Sequence, residues 1–157
     1  ANFDTVYISL YKYLGAAGGA VLCGDKTIID QVPHLQKIHG GTMFTNWANA
    51  AMALHKLETI ETVLQDVIKR TTPLFAALNK INGINIRALE GGTNIYELNL
   101  DKAIDGKKFQ AGMKDNFKIL VAPPNENNRA LITVNETLLY RNDDYMVNAF
   151  KSSIAMK

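Results

Sequence analysis

The stretch SLYKYLGAAGGAVLCG, residues 9–24, places one lysine, Lys12, between two tyrosines at the end of an apolar run. The apolar runs at residues 6–10 and 20–23 predict two neighbouring strands of a buried sheet, joined by a glycine-containing connection. Lys12 falls in that connection. Glycines let a backbone turn sharply or approach another molecule closely. The stretch therefore sets a cationic side chain where a strand gives way to flexible backbone.

The bulk composition is that of an ordinary globular protein. A chain of 157 residues suffices for one domain, or for one lobe and part of another. With 17 basic and 15 acidic residues, it lacks the basic excess of nucleic-acid-binding domains. No apolar run approaches the roughly 18 residues of a membrane span. We therefore expect no nucleic-acid partner and no membrane insertion.

The single cysteine, Cys23, leaves no partner for an intrachain disulfide and indicates a reducing, cytoplasmic setting. The chain begins without methionine and runs almost directly into the strand-like segment TVYISL. A strand needs neighbours to pair with. We therefore expect the chain to be a piece of a longer protein, either a domain fragment or a proteolytic product.

The middle of the chain is predicted to be mainly helical. A short helix is expected before Pro33, followed by a loop, HLQKIHGGTMF, in which Gly40 and Gly41 mark a sharp turn or a close approach. From Asn46 onward, apolar residues recur at steps of three and four, which predicts a long amphipathic helix. Because proline suits the first turn of a helix, we expect that helix to end and another to begin at Pro73.

The second half of the chain alternates short strands and helices. Strands are predicted at residues 84–89, 94–100, 118–122 and 130–134, with helices at about 105–115 and from about 143 onward. This content is typical of a compact α/β lobe.

Lys12 is the candidate nucleophile. Burial beside an apolar strand disfavours the charged form of a lysine and leaves an amine able to form a Schiff base. The alternative is a lysine at a strand end whose charged group reaches solvent. Taken alone, the residues leave both interpretations open.

The pattern around Lys12 resembles the lysine segment of the threonine aldolase and β-eliminating lyase family. It reads Ser9-Leu10-x-Lys12-x-Leu14-Gly15-Ala16-x-x-Gly19-x-Val21-Leu22. The FDTV segment before it, and the Gly-Gly-x-Met segment and long helix after it, follow the family's order at about its spacing. Family members use pyridoxal phosphate on the aspartate aminotransferase type of fold.

The resemblance implies an α/β fold class and two domains. Residues 1–60 would be the C-terminal part of the large cofactor-binding domain, with its strand pair and long helix, and residues 61–157 the small C-terminal α/β domain. The chain would correspond to about the second half of a family member. The phosphate-binding loop, the ring-stacking residue and the aspartate at the pyridine nitrogen would lie upstream, so this fragment alone is expected to be inactive.

The resemblance also implies roles for individual residues. Lys12 would form the Schiff base with pyridoxal phosphate and then act as the proton-shuttling base, with Ser9, Gly40 and Gly41 also at the cofactor. Tyr11 stands where the family commonly has a serine that binds the cofactor phosphate, so its hydroxyl is the candidate replacement.

Arg129 is the candidate for binding the substrate. It precedes the apolar strand predicted at 130–134, where the family has an arginine for the α-carboxylate, a task suited to the planar guanidinium. The alternative is a solvated arginine in the polar loop PPNENNR. The family's aldolases also tend to carry an arginine after the Gly-Gly-x-Met segment, whereas this chain has GGTMFTNW.

The function implied is a pyridoxal-phosphate-dependent lyase that cleaves a β-hydroxy amino acid to glycine and an aldehyde, in a homodimer or homotetramer. One alternative is a β-eliminating lyase or another enzyme of the aminotransferase fold; the other is a non-catalytic α/β interaction domain. A metal site is not expected, since His34 and His39 have no cysteine or paired carboxylate beside them. A phosphate loop at residues 19–27 is disfavoured, because Asp25 interrupts its pattern.

Overall fold

The computed structural model describes residues 2–155 as a mixed α/β structure, which confirms the predicted class. The chain divides into two compact units between Thr62 and Val63. The assignment of these parts to a large and a small domain of a longer enzyme stays a prediction. Among the helices described, none has the length and apolar character needed to cross a membrane.

The first unit contains a two-stranded sheet and three helical segments. Strands β1 (Thr5–Ser9) and β2 (Ala20–Gly24) pair antiparallel, with Val6 opposite Cys23 and Ile8 opposite Val21. The predicted pairing of neighbouring strands is confirmed. The helices are α1 (Lys26–Ile29), α2 (Val32–Ile38) and the beginning of α3 (Trp47–Leu78).

The prediction that this sheet is buried is wrong for the described residues. Nearly every side chain of β1 and β2 is exposed, including Tyr7 at 61% and Val21 at 44%. The buried cluster of the unit comprises Leu10, Ala16 and Ala53. An apolar run indicates that a strand is suited to burial. Burial itself requires other elements packed against the faces of the sheet, and the described residues of this unit leave most of both strands uncovered.

The loop predicted after Pro33 is also wrong in its first part, which forms α2. Pro33 lies in the first turn of this helix, where its missing N–H is harmless. At the other end, the Gly40 N–H donates to the Lys37 carbonyl (3.3 Å) and the Gly41 N–H to the Gln36 carbonyl (2.8 Å). With Gly40 at a φ of 70°, this is the Schellman ending of a helix.

The second unit is built on a three-stranded antiparallel sheet in the order β3–β4–β5. The strands are β3 (Ile84–Ala88), β4 (Ile95–Leu100) and β5 (Arg129–Thr133). Helix α4 (Gly106–Phe117) follows β4, and a 3-10 turn (Glu136–Tyr140) leads into α5 (Asp143–Ile154). Three of the four predicted strands and both helices are confirmed, with ends shifted by one or two residues.

The core of this unit lies on one face of the sheet, because strand side chains alternate between two faces. Leu98 of β4, Phe109 and Met113 of α4, and Leu78 of α3 have no exposed surface. The Phe109 ring packs against Phe150 of α5 with centroids 5.7 Å apart. The opposite face carries polar and charged side chains together with two exposed apolar ones, Ile95 and Leu131.

The predicted break at Pro73 is wrong, since α3 continues through it to Leu78. A proline inside a helix costs about 3 kcal/mol. Leu74 and Leu78 follow Pro73 and are buried to 1% and 0% exposure. Because a buried leucine contributes about 2 kcal/mol, burying both offsets the proline, which itself faces solvent.

The strand predicted at residues 118–122 is absent from the part of the chain that the structure describes. Lys118 adopts a φ of 55° after the end of α4, and the Ile119 N–H returns to the Met113 carbonyl (2.9 Å). The Val121 carbonyl accepts from the side chain of Gln110 at 2.9 Å. A side chain of α4 thus occupies a carbonyl that a strand partner would otherwise use.

Candidate functional site

Lys12 lies in the connection between β1 and β2, as predicted. The Leu10 N–H donates to the Gly19 carbonyl (3.0 Å), and the Ala16 N–H donates to the Leu10 carbonyl (3.2 Å). Gly15 and Gly19 have φ values of 69° and 91°, a backbone conformation that residues with a side chain rarely adopt. These bonds and glycines fold residues 10–19 into a closed turn that carries Lys12 near its tip. We call residues 10–19 the lysine turn.

The structure decides between the two interpretations of Lys12, because its side chain is exposed, as expected of a lysine at a strand end that reaches solvent. Among the side chains that the structure describes, none forms an ion pair with its amine. Strand β1 ends before the lysine turn begins, so Lys12 lies outside the strand. The amine is consequently accessible to a reactant.

Beside the lysine turn is an open pocket of about 630 Å³. Its polar lining includes Ser9, Lys12 and Tyr13, and Leu10 and Ala53 contribute to its apolar lining. A volume of this size is typical of sites for small molecules and cofactors. The pocket therefore combines a primary amine with room for a flat ring.

The structure brings only part of the predicted cofactor set to this pocket. Ser9 and Lys12 line it, whereas Tyr11, Gly40 and Gly41 are not among its lining residues. Tyr11 is 52% exposed. The helix ending described above accounts for the glycine at position 40 without any ligand. Roles for these three residues at a cofactor stay predictions.

Arg129 begins β5 in the second unit, and its position is fixed by a turn of asparagines. The Asn125 N–H donates to the Arg129 carbonyl (2.8 Å), and Asn125 Oδ1 accepts from the Arg129 N–H (3.0 Å). Asn128, with a φ of 56°, closes the turn. Its side chain also donates to the carbonyl of Ile104 (2.8 Å). The backbone of Arg129 is thus anchored, while its side chain is exposed.

The side chain of Arg129 belongs to a charged cluster on the outer face of the sheet. Glu97 Oε1 accepts from Arg87 Nε (2.9 Å) and from Asn99 Nδ2 (2.9 Å). Asn99 is the cross-strand partner of Arg129. These hydrogen bonds, from Asn99 first and Arg87 second, lower the pKa of Glu97 against the effect of burial. The charges of Arg87 and Arg129 lower it further.

This shift predicts how acid affects stability. A carboxyl whose folded pKa is depressed stabilises the fold above its unfolded pKa, here 4.5, and loses that contribution as pH falls through the folded value. Glu97→Gln should therefore be less stable than wild type at pH 7, with the difference shrinking below pH 4.5. Urea unfolding at pH 7 and pH 3 measures it, with the exposed Glu90→Gln as control. A difference between wild type and Glu97→Gln that stays constant with pH would contradict the assigned contacts.

The sequence and the fold of the chain both resemble those of known proteins. The family model for beta-eliminating lyases matches residues 1–101, which include the lysine turn, the pocket and α3. The chain belongs to the beta-eliminating lyase family. The chain is also 24% identical over 153 residues to low-specificity L-threonine aldolase 1 of Arabidopsis thaliana. That alignment covers 96% of this chain and 42% of the relative, so the chain spans less than half of the relative's length.

The fold of the chain is similar to those of several solved structures. It matches a Listeria monocytogenes protein assigned as an L-allo-threonine aldolase with a TM-score of 0.72 at 13% identity, over 96% of this chain and 45% of that one. It matches the ornithine aminotransferase of Toxoplasma gondii with a TM-score of 0.61 at 18% identity, over 96% of this chain and 36% of that one. The predicted fragment of an aminotransferase-type fold is confirmed.

The pocket beside the lysine turn fits one part of what an aldehyde cofactor needs. Lys12 offers an accessible amine for a covalent bond, and Ser9 and Tyr13 bring hydroxyl groups. Of the described residues that line the pocket, Lys12 is the only charged one, so the lining adds no second cation for a phosphate group. No group of three or more His, Cys, Asp or Glu side chains within residues 2–155 is arranged to hold a metal ion.

Two features of the chain were not predicted from its sequence. Asn49, on α3, hydrogen-bonds to the lysine turn. Two asparagines at the start of a helix, here Asn46 and Asn49, indicate helix capping. That the side chain of Asn49 instead binds the backbone of a distant loop is visible only in the structure. Arg70 bonds to residues 68 to 73 positions away and has no local signal.

Proposed function

We propose that this chain is part of a pyridoxal-phosphate-dependent lyase of the threonine aldolase type, which cleaves a β-hydroxy amino acid to glycine and an aldehyde. The observation that carries the proposal is the family match over the lysine turn, together with an accessible Lys12 amine at a pocket large enough for the cofactor ring. The threonine aldolase relative from Arabidopsis thaliana supports the choice of reaction within the family.

In this proposal Lys12 has two tasks. Its amine would hold the cofactor through a covalent bond to the aldehyde, and as a free amine it would move protons at the substrate. Pyridoxal phosphate supplies an electron sink, which weakens the bonds at the α-carbon of an amino acid. Cleavage breaks the Cα–Cβ bond, takes the proton of the β-hydroxyl as the aldehyde leaves, and returns a proton to Cα to give glycine.

Other residues would bind and orient. The exposed guanidinium of Arg129 would hold the substrate α-carboxylate through two parallel hydrogen bonds, on a backbone that Asn125 already fixes. The hydroxyl group of Tyr11 would donate a hydrogen bond to the cofactor phosphate. The Gly40-Gly41 segment would face the site of a neighbouring subunit in a homodimer or homotetramer. We propose a cytoplasmic location, in accord with the single cysteine of this chain.

The test is the absorption spectrum and product profile of the full-length protein. We expect a visible band from lysine-bound cofactor, and glycine with an aldehyde from threonine or allo-threonine. Ammonia and a keto acid would instead identify a β-eliminating lyase, and transfer of the amino group would identify an aminotransferase. Absence of cofactor binding would overturn the proposal and would agree with the alternative of a non-catalytic interaction domain.

The role of Arg129 makes a separate prediction. Arg129→Gln should raise the KM for the amino acid at least tenfold, because a charged, two-pronged contact with the carboxylate is lost. Steady-state kinetics with threonine measure this change. Arg141→Gln, which removes an arginine elsewhere in the same unit, is the control. An unchanged KM would remove Arg129 from the site.

A further inference from the structure

The lysine turn is tied to helix α3 by one side chain. Asn49 Oδ1 accepts hydrogen bonds from the backbone N–H groups of Ala17 (3.1 Å) and Gly18 (3.2 Å). Asn49 Nδ2 donates to Asn46 Oδ1 at 2.6 Å, which fixes the orientation of the amide. One asparagine amide therefore links the first turn of α3 to the backbone of the lysine turn.

Among the described hydrogen bonds, the two to Asn49 are those that the N–H groups of residues 17 and 18 make. Side chains placed at Gly15 or Gly18 would meet no atom within 4 Å, so the backbone there has open space around it. At Gly19 the opposite holds, since a Cβ atom would lie 2.9 Å from Asn46 Nδ2. The chain thus passes the two asparagines closely only where glycine permits it.

Helix capping alone does not explain the arrangement. In a capping box, the side chain in the first turn reaches back to the backbone N–H of the residue before the helix. Here the Asn49 oxygen turns away from its own helix and takes two N–H groups from a segment 31 and 32 residues earlier. The start of a helix does not require this contact. A loop that carries a reactive group does require contacts that hold its backbone in place.

We propose that Asn49 is a positioning residue for Lys12, which holds the lysine turn so that the amine stays at the pocket. This inference rests on the proposed function, since it assigns a purpose to the contact only if Lys12 bonds to a cofactor. Asn49 touches the backbone of the turn and acts through it. A fixed turn limits the positions that the amine can sample, and a displacement of about 1 Å can change a reaction rate a hundredfold.

The test uses the full-length protein with Asn49→Ala, Asn49→Asp and, as a matched control on the same helix, Met52→Ala. Alanine removes the acceptor and suits a helix, whereas aspartate keeps an oxygen for both N–H groups once the Asn46 amide flips to donate from its Nδ2 to the second carboxylate oxygen. Met52 is 49% exposed and is not among the residues lining the pocket. Hydrogen exchange at residues 17 and 18 reports the contact, and retention of the cofactor band after gel filtration reports its purpose.

We expect Asn49→Ala to speed exchange at these two amides about tenfold and to weaken cofactor retention about tenfold. Asn49→Asp and Met52→Ala should resemble wild type. Exchange that is unchanged in Asn49→Ala would overturn the contact, and faster exchange with unchanged retention would overturn the positioning role. A wild-type protein without a cofactor band would contradict the proposed function itself, and the exchange data would still report whether the contact exists.

Discussion

Replacing Lys12 by alanine should abolish the band of lysine-bound cofactor and lower kcat about 10³-fold or more. The variant loses both the covalent bond to the cofactor and the base that moves the substrate protons, and each contribution is large. Lys12 is exposed in a turn, so its removal should leave the fold intact. The measurement is the absorption spectrum together with turnover of threonine by the full-length protein.

Lys12→Arg is the matched control for this prediction. It keeps a positive charge at the same place, but a guanidinium remains protonated and does not form the covalent bond. If Lys12 acted only through charge, arginine would restore function; we expect it to behave like alanine. Turnover within tenfold of wild type in either variant would show that another group does the chemistry.

The site illustrates how far sequence reasoning reaches. The lysine pattern correctly placed Lys12 between two paired strands, because strand signals and glycines are local and strong here. The residues alone left the burial of Lys12 open, since burial depends on which other parts of the fold cover a sheet. Likewise, nothing local in the sequence indicated that Asn49 would contact the lysine turn. Contacts between distant segments have to be seen in three dimensions.

The fold shows the same division. Proline at position 73 and the apolar run at 118–122 carry the right local signals for a helix start and a strand, and both predictions were wrong. In each case a tertiary contact decides the outcome: buried Leu74 and Leu78 keep α3 intact, and Gln110 occupies the Val121 carbonyl. Local propensity is a weak prior where burial of side chains outweighs it.

Arg70→Met should lower the free energy of unfolding of the second unit by about 3 kcal/mol. Arg70 donates from Nη1 to the Leu138 carbonyl (2.6 Å), from Nη2 to the Arg141 carbonyl, and from Nε to Asp143 (2.6 Å). Its side chain is only 18% exposed. Methionine fills a similar volume but leaves two carbonyls without their donor, and hydrogen bonds from a charged group are worth more than neutral ones.

Lys69→Met is the matched control, because it makes the same kind of change at the neighbouring position. Lys69 is 74% exposed and lies 3.8 Å from Asp66, a surface pair worth less than about 1 kcal/mol. Urea unfolding of the full-length protein, followed by a probe in the second unit, measures both variants. Arg70 lies on α3, and the three groups that accept its hydrogen bonds lie after β5, up to the first residue of α5. The hydrogen bonds of Arg70 therefore connect the start of α5 to α3. Equal stability of the two variants would mean that packing alone holds these segments together.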